Sequence, residues 1–352
     1  MAKLVYQAWK ARNIFLFNGR LIFGPDAKSL VVTVLLIVVP VVVFCTNVTK
    51  NLLHGLSAYN AGYIILTVVI LFTILVLVFL FLTSARDPGI VPRNLHPPEE
   101  DIYESSAASL EGGRQTPTPR LPRTKDVLVN GKLVKVKYCE TCMLYRPPRC
   151  SHCSVCDNCV ERFDHHCPWV GQCIGLRNYR YFFLFVSSSA LLCIFVFAMS
   201  AVNIKLLMDD YGTVWKAMKE SPVSVILMGY CFFFLWFVGG LTCFHLYLIS
   251  RNQTTYENFR YGARNGPNVY DRGCLLNFIE VFCTGMKPSR NDFRAHVQAL
   301  APMPSMRVAR EVNIEDSDGF RRVKVEDNMD MENDLSKISE RRNVEATDSI
   351  RF

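Results

Sequence analysis

Four long apolar runs constrain the fold of this chain more than any other feature of its sequence. They span residues 30–48, 63–82, 181–204 and 223–249, and none of them contains Asp, Glu, Lys or Arg. An α-helix needs about 20 apolar residues to cross the hydrocarbon core of a bilayer, and each run approaches or exceeds that length. With 50% hydrophobic residues, the chain is too apolar for an ordinary soluble protein with a long polar tail. We therefore predict a membrane α-helical fold with four transmembrane helices.

The distribution of Lys and Arg predicts how these helices are oriented. Five basic residues precede the first run and the loop at 83–180 is rich in Arg and Lys, whereas the loop at 49–62 holds only Lys50. Positively charged loops remain on the cytosolic side of a membrane. We therefore expect both termini and the 83–180 loop in the cytosol. The first run is too long for a signal peptide and lacks a small-residue cleavage site. We expect an endomembrane or plasma-membrane protein, with the Golgi and the plasma membrane as the leading compartments.

A cysteine-rich stretch, residues 139–173, lies in the long loop between the second and third runs. It contains eight of the 14 cysteines and three of the seven histidines of the chain, several of them as C-x2-C pairs. Repeated C-x2-C pairs with interleaved histidines have the spacing of zinc ligands. Because the cytosol keeps thiols reduced, we assign these cysteines to metal binding and catalysis rather than to disulfides.

The number of potential ligands in this stretch exceeds what two zinc sites need. Two closed tetrahedral sites use about eight ligands, so three of the eleven Cys and His side chains are left over. If Cys167 and one of the adjacent histidines are among them, Asp164 is placed to orient that ring. The imidazole would then accept the thiol proton while the carboxylate fixes its tautomer. Spacing does not say which histidine binds metal, and the alternative is that all eleven groups are structural.

The order of these residues resembles the cysteine-rich domain of the DHHC protein S-acyltransferases, also called palmitoyltransferases. The shared run is C-x2-C-x3-R-P-x-R-x2-H-C-x2-C-x2-C-x4-D-H-H-C-x5-C, and the likeness continues through Asn178 and Phe182. Further stretches are also similar to that family: Asp87-Pro88-Gly89, Thr254-Thr255-Tyr256-Glu257 and residues 268–282. One departure is Gln172, where many members have Asn.

The resemblance implies a role for each of these side chains. One zinc ion would be held by Cys139, Cys142, His152 and Cys159, and the other by Cys153, Cys156, His166 and Cys173. The acylated nucleophile would be Cys167, with His165 as its base and Asp164 as the orienting carboxylate. Cys150 would then be dispensable. Arg177 and Arg180 are candidates for binding the phosphates of coenzyme A, and the alternative is that they anchor the chain at the membrane interface.

The activity implied by the resemblance is protein S-acylation. A long-chain acyl group, expected to be palmitoyl, would pass from acyl-CoA through a Cys167 thioester to cysteines of membrane-proximal proteins. The expected partners are acyl-CoA, the bilayer and membrane-associated proteins with cytosolic cysteines. Closed shells of three cysteines and one histidine leave no open coordination position, so both zinc ions would be structural.

Three other functions fit parts of the sequence. A membrane-tethered zinc module could bind a protein partner, as RING-like domains do, and it would not need Cys167. Nucleic-acid binding through the basic loop is disfavoured because no helix-bearing zinc-finger unit is present, and we expect no nucleic-acid partner. Metal transport is disfavoured because the metal-type ligands lie outside the apolar runs.

The sequence divides into segments of different character. We predict an interfacial segment (1–28), two transmembrane helices (29–83), a disordered insert (94–126), the cysteine-rich domain (127–179), two more transmembrane helices (180–250), a cytosolic motif segment (251–285) and a disordered cytosolic tail (286–352). Asn130-Gly131 between alternating apolar residues predicts a β-hairpin. Thr254 and Glu257 fit a helix capping box. Gly239-Gly240 predicts close approach of another helix.

Overall fold

The computed structural model describes residues 3–55, 60–98, 122–261 and 268–297. Most of the predicted insert at 94–126 and most of the predicted tail at 286–352 lie outside these described residues, so those two predictions stand as predictions over that part of the chain. The architecture below concerns the described residues alone.

Four helices in the described residues are long and apolar enough to cross a membrane, so the predicted fold class is confirmed. They are Ser29–Leu53, Ala61–Ser84, Tyr179–Tyr211 and Pro222–Ser250. The first begins as α1 (Ser29–Val43) and continues through a π-helical turn (Phe44–Val48) into α2 (Thr49–Gly55). The others are α3 (Ala61–Ser84), α4 (Tyr179–Tyr211) and α6 (Pro222–Ser250), with the short α5 (Val214–Glu220) joining the last two.

The proline inside the first helix is accommodated by a neighbouring helix. Pro40 has no N–H, so the carbonyl of Leu36 loses its usual helical partner. The Tyr230 hydroxyl of α6 donates a hydrogen bond to that carbonyl at 2.6 Å. Polar side chains of adjacent helices are one way in which a membrane helix retains a satisfied backbone around proline.

The long α4 forms the centre of the helical bundle, because it packs against both α3 and α6. Phe182, Phe185 and Val186 of α4 are buried in the main apolar core. The predicted role of Gly239-Gly240 is wrong within the described residues. A Cβ atom added at Gly240 would meet nothing within 4 Å, and one at Gly239 would meet only Leu235 of the same helix.

A cysteine-rich module of short β-hairpins follows α3 and precedes α4. Its strands are β3 (Thr124–Val129), β4 (Lys132–Cys139), β5 (Leu144–Tyr145), β6 (Ser151–Cys153), β7 (Asn158–Val160), β8 (His165–Cys167) and β9 (Gln172–Ile174). The predicted hairpin is confirmed, since β3 pairs antiparallel with β4 and Val129 lies opposite Lys132. Asn130 (φ 48°) and Gly131 (φ 75°) form the two-residue turn. The predicted end of the insert at residue 126 is too late, because β3 begins at Thr124 and its first three residues lie inside the predicted insert.

The two ends of the described chain pack together on this module. The N-terminal hairpin of β1 (Ile14–Leu16) and β2 (Leu21–Phe23) lies close to the segment 286–297. The Phe293 ring lies 5.1 Å from that of Trp9 and 5.4 Å from that of Phe15, between ring centroids. The Val5 N–H also donates to the carbonyl of Ala295 at 2.9 Å.

These contacts correct one predicted boundary. Residues 286–297 were assigned to a disordered tail because their composition is polar and of mixed charge, yet the structure gives them a packed position. Phe293 is only 6% exposed, and backbone hydrogen bonds to the N-terminal segment, such as that from the Tyr6 N–H to the Phe293 carbonyl at 2.9 Å, hold it there. A prediction of disorder from average composition cannot detect a single aromatic residue that becomes buried.

Candidate active site

The β8 strand gives the two adjacent histidines different neighbours. Successive side chains of a strand point to opposite faces. His165 and Cys167 therefore share one face of β8, and His166 lies on the other. His165 meets Asp164, and His166 meets the thiols of a cysteine cluster. Spacing in the sequence left open which histidine was which, and the strand geometry separates them.

Asp164, His165 and Cys167 form a row of buried or half-buried side chains, and a hydrogen bond joins the first two. The Asp164 side chain is fully buried, and its Oδ2 lies 2.7 Å from Nδ1 of His165. Nδ1 must carry a proton to donate to this carboxylate, so Nε2 is the nitrogen available to the thiol. The His165 ring lies near enough to Cys167, whose side chain is also buried, for a thiolate there to raise the pKa of the ring. A thiol, an imidazole and a carboxylate in this order can act together as a nucleophile, its base and the group that orients the base.

The electrostatics of the row favour the charged forms of Asp164 and His165. Burial disfavours the charged form of Asp164, but the hydrogen bond from His165 and that ring's charge hold the pKa of Asp164 below its usual value. Burial likewise disfavours the imidazolium, but hydrogen bonds to Asp164 and Cys167 raise the pKa of His165 to about 9. A neighbouring imidazolium stabilises a thiolate, the reactive form of cysteine.

The helix that follows the fourth span holds Asp164 in place. α7 (Thr255–Tyr261) begins at this carboxylate, and the Thr255 N–H donates to Oδ1 of Asp164 at 2.9 Å. The Tyr256 N–H donates to the carbonyl of the same residue at 3.1 Å. The predicted capping box is confirmed, because Thr254 N–H reaches Glu257 at 2.9 Å and Glu257 N–H reaches the Thr254 hydroxyl at 3.1 Å. The T-T-x-E motif therefore has two roles, because it caps α7 and orients the buried carboxylate of Asp164.

The same motif is tied to the cysteine-rich module by a bidentate ion pair. Arg149, the last residue of the R-P-x-R motif, donates from Nε and Nη2 to the two carboxylate oxygens of Glu257 at 2.8 and 2.7 Å. A third bond runs from Nη1 to the side chain of Asn252 at 2.9 Å. Because both partners are largely buried, this pair fixes the position of α7 relative to the module.

A second histidine lies behind this row. His245 of α6 is 1% exposed, and its Nδ1 is 3.1 Å from the Tyr179 hydroxyl of α4. Its ring centroid lies 6.2 Å from that of His165. His245 is therefore an interior histidine whose ring is satisfied by a hydrogen bond.

Two clusters of cysteine and histidine side chains could each hold a metal ion. The first is Cys139, Cys142, His152 and Cys159, and the second is Cys153, Cys156, His166 and Cys173, with all ligand atoms of a cluster within 4.8 Å of one another. These are the two sets implied by the resemblance. Four tetrahedral ligands at zinc–sulfur distances of about 2.3 Å bring thiolates to about 3.8 Å from each other. The 3.4 Å between the Cys156 and Cys173 sulfurs fits that arrangement.

Each cluster histidine is oriented by a carboxylate that sequence reasoning missed. Nε2 of His166 donates to Asp26 at 2.9 Å, and Nε2 of His152 lies 3.5 Å from Asp157. Carboxylates in this position fix the tautomer and ring orientation of metal-binding histidines. Asp157 lies inside the cysteine-rich stretch and could have been suspected. Asp26 precedes the first span by three residues, and no spacing rule links it to a ligand 140 positions away.

The other residues that the sequence singled out lie outside both the row and the two ligand sets. Cys150 packs against the first cluster without being one of its four ligand residues. Arg177 donates to the Asp87 carboxylate at 2.8 Å. Arg180 donates to the carbonyls of Val281 and Thr284 at 2.8 and 2.6 Å. Both guanidinium groups therefore donate hydrogen bonds within the protein, and their contact with coenzyme A stays a prediction.

Gln172 and Asp87 also hold the site together. The Gln172 amide donates to the carbonyl of Ile22 at 2.9 Å, which joins the β8–β9 turn to the N-terminal hairpin. Asp87, in the D-P-G motif, accepts hydrogen bonds from the N–H groups of Gly89 and Ile90 at 2.9 and 2.8 Å. The D-P-G motif is therefore a positioning element as well as a helix stop.

Comparison with known proteins agrees with this geometry. Residues 133–262 match the family profile described as DHHC palmitoyltransferase. The chain is 63% identical to Protein S-acyltransferase 8 of Arabidopsis thaliana, over 98% of this chain and 86% of that protein. It is 58% identical to Probable protein S-acyltransferase 9 of the same organism, over 98% of this chain and 84% of that protein. Similarity of this extent, reaching from one end of the chain to the other, means that this multi-pass membrane protein belongs to the DHHC family of protein S-acyltransferases.

Proposed function

We propose that Cys167 carries the acyl group in this S-acyltransferase, with His165 as its base and Asp164 as the residue that orients the base. The acyl donor is a long-chain acyl-CoA, palmitoyl-CoA above all, and the acceptors are cysteines of membrane-proximal proteins. One observation carries this assignment: each metal cluster has four ligands without Cys167, whose thiol instead meets the Asp164–His165 pair.

The first step forms the acyl-enzyme. His165 accepts the thiol proton of Cys167, and the resulting thiolate attacks the thioester carbonyl of acyl-CoA. The bond from the carbonyl carbon to the coenzyme A sulfur breaks as the bond to Cys167 forms. The departing coenzyme A thiolate receives the proton from His165.

The second step transfers the acyl group and restores the enzyme. His165 accepts the proton of a cysteine thiol on the acceptor protein, and that thiolate attacks the carbonyl of the Cys167 thioester. Cys167 leaves as a thiolate and takes the proton back from His165. One thioester is exchanged for another in each step, so no oxidant or other co-reactant is needed.

The location of Cys167 suits an acyl chain. Thr33, in the first turn of α1, donates to the carbonyl of Trp169 at 2.6 Å, and Ser29 donates to that of Pro168. The turn after the nucleophile is therefore bonded to the end of a membrane-spanning helix. A thioester at this level can react while its hydrocarbon chain remains in the bilayer. The charge distribution supports a cytosolic location for this end of the helices.

Zinc in the two clusters would be structural. When bound, it would stabilise the fold of a module whose strands are short and whose core is small. Three cysteines and one histidine close a tetrahedral shell. His166 and His152 would each present Nδ1 to the ion, while Asp26 and Asp157 orient their rings.

Acyl transfer with purified protein tests the assignment. Wild-type protein, Cys167→Ser and Cys150→Ser are incubated with labelled palmitoyl-CoA and a membrane-anchored cysteine peptide. We expect transfer by wild type and Cys150→Ser and none by Cys167→Ser, with two zinc ions per chain in all three. Transfer by Cys167→Ser at the wild-type rate would contradict the proposal.

A further inference from the structure

A basic cavity of about 310 Å³ lies beside the first turn of α4. Five cationic side chains and one carboxylate are among the residues that line it: Arg162, Arg177, Arg180, Arg272, Lys287 and Glu280. The catalytic row described above is not part of this lining.

The positive charge of the cavity is only partly cancelled. Arg162 pairs with Glu280 at 3.1 Å, and Arg177 pairs with Asp87 from outside the cavity at 2.8 Å. Arg180 donates to carbonyl oxygens, which bind its guanidinium group without cancelling its charge. Arg272 and Lys287 add two more cations with exposed side chains. Burial and the nearby Arg149 charge lower the pKa of Arg162, a sign of crowded positive charge.

The helix beside the cavity presents an apolar face to its surroundings. α8 (Cys274–Phe282) lies between Arg272 and Lys287 in the sequence. Leu275, Leu276 and Ile279 are 74%, 53% and 42% exposed. On its other side, the Phe282 ring packs 5.4 Å from Phe183, in the second turn of α4. α8 therefore lies level with the end of a membrane span, where a short amphipathic helix can bury its apolar face among lipid chains.

We propose that this cavity binds the phosphate-bearing head group of an anionic phospholipid, in the leaflet on the side of the cysteine-rich module, while the exposed face of α8 lies among the acyl chains. Arginine forks bind phosphate oxygens with strong, charge-assisted hydrogen bonds. Basic cavities at the end of membrane helices are suited to such head groups. This binding is separate from the acyl transfer itself. It would determine how strongly the cytosolic motif segment (251–285) binds the membrane surface.

Coenzyme A carries the same phosphate chemistry, but the neighbouring helix favours a lipid. The coenzyme A head group is water-soluble and has no hydrocarbon chain to cover the exposed side chains of α8. A phospholipid also accounts for three large apolar side chains exposed next to those cations. The experiment therefore includes both ligands.

Lipid binding is measured by native mass spectrometry on the full-length protein released from detergent micelles. Phosphatidylserine is titrated against wild type, Arg272→Gln/Lys287→Gln, and the charge-matched control Lys132→Gln/Lys137→Gln, whose residues lie on the β3–β4 hairpin. Phosphatidylcholine serves as the neutral lipid. Each basic residue near the surface contributes about fivefold, so we expect about thirtyfold weaker phosphatidylserine binding in the first variant. The control variant and phosphatidylcholine binding should be unchanged.

Competition separates the two sources of phosphate. Free coenzyme A, added to the phosphatidylserine complex, should leave the bound lipid in place. Displacement of the lipid by coenzyme A would overturn the proposal and assign the cavity to the acyl donor. Equal phosphatidylserine affinity of wild type and Arg272→Gln/Lys287→Gln would overturn it as well. Arg272→Lys, which retains the charge but loses the fork, should weaken phosphatidylserine binding less than Arg272→Gln/Lys287→Gln does.

Discussion

In the mechanism proposed above, the chemistry depends on which of several similar side chains is left free of metal. His165 and His166 are neighbours in sequence and have the same functional group, yet Nδ1 of one meets a carboxylate and Nδ1 of the other meets cysteine sulfurs. The difference follows from the alternation of side chains along an extended strand. Cys167 shares the face of His165 and is therefore kept apart from the second cluster. At this scale, one strand separates the proposed reactive side chains from the proposed metal ligands.

Replacing Asp164 by Asn tests the orienting role. The amide could still accept the Thr255 N–H bond, but it would lack the negative charge that stabilises the His165 imidazolium. We expect the rate of acyl-enzyme formation to fall by about 100-fold or more. Single-turnover kinetics with labelled palmitoyl-CoA would measure this, with zinc content as the control for folding. An unchanged rate would show that Asp164 has no part in activating the thiol.

At the scale of elements, the site is assembled from segments that are distant in sequence. β8 carries the proposed nucleophile and base, α7 orients Asp164, and the turn after Cys167 is bonded to α1. The Arg149–Glu257 pair joins α7 to the connection between β5 and β6 and is largely buried, so each partner depends on the other. Removing one member of a buried ion pair lowers the free energy of unfolding by more than the intact pair adds to it, because the other charge is left buried without a partner.

Glu257→Gln should therefore destabilise the protein. We expect a loss of about 3 kcal/mol in the free energy of unfolding, because Arg149 stays buried without its carboxylate. Thermal unfolding followed by fluorescence would report this as a lower melting temperature. Lys135→Gln is the matched control: it breaks the exposed Lys135–Asp126 pair and should change little. Equal melting temperatures for both variants would contradict the structural role of the Arg149 pair.

The cysteine-rich module depends on its metal clusters in the same way. Cys142 is fully buried in the first cluster. Cys142→Ser should release that zinc ion and unfold the surrounding hairpins, because structural zinc contributes much of the folding free energy of small modules. Metal analysis should then give one zinc ion or none per chain. Full retention of two zinc ions would show that the ligand sets are assigned incorrectly.

At the scale of the whole molecule, the described ends of the chain meet on the module that carries the site. Phe293, Trp9 and Phe15 form one aromatic cluster. Asp26, just before the first span, reaches His166 in the module. The N-terminal segment and residues 286–297 therefore support the site although neither contains a catalytic group.

Truncating the aromatic anchor tests that support. Phe293→Ala should destabilise the protein by about 3 kcal/mol, as large-to-small replacements of buried aromatic residues do. Leu133→Ala, at a residue that is 74% exposed, should be close to neutral. The readout is the melting temperature of each variant in the same detergent. Similar temperatures for the two variants would mean that residues 286–297 contribute nothing to stability.

Much of this architecture could be predicted from sequence, and the exceptions have physical reasons. The four spans follow from length and hydrophobicity, and the ligand sets follow from the family resemblance of the cysteine spacing. Asp26 and Phe293 act through contacts across long stretches of chain, which no local pattern encodes. Gly239-Gly240 was predicted at a helix contact because small residues permit close approach. Small residues allow a close helix contact but do not cause one, and no second helix packs there within the described residues.

The central claim is that the Cys167 sulfur is free of metal and forms the acyl thioester. The most direct measurement is peptide mapping by mass spectrometry of purified protein after brief reaction with palmitoyl-CoA, with and without hydroxylamine. We predict one hydroxylamine-labile palmitoyl group on the peptide that contains Cys167, formed while both zinc ions remain bound. Palmitoyl on another cysteine with Cys167 unmodified, or loss of zinc as the thioester forms, would contradict the account.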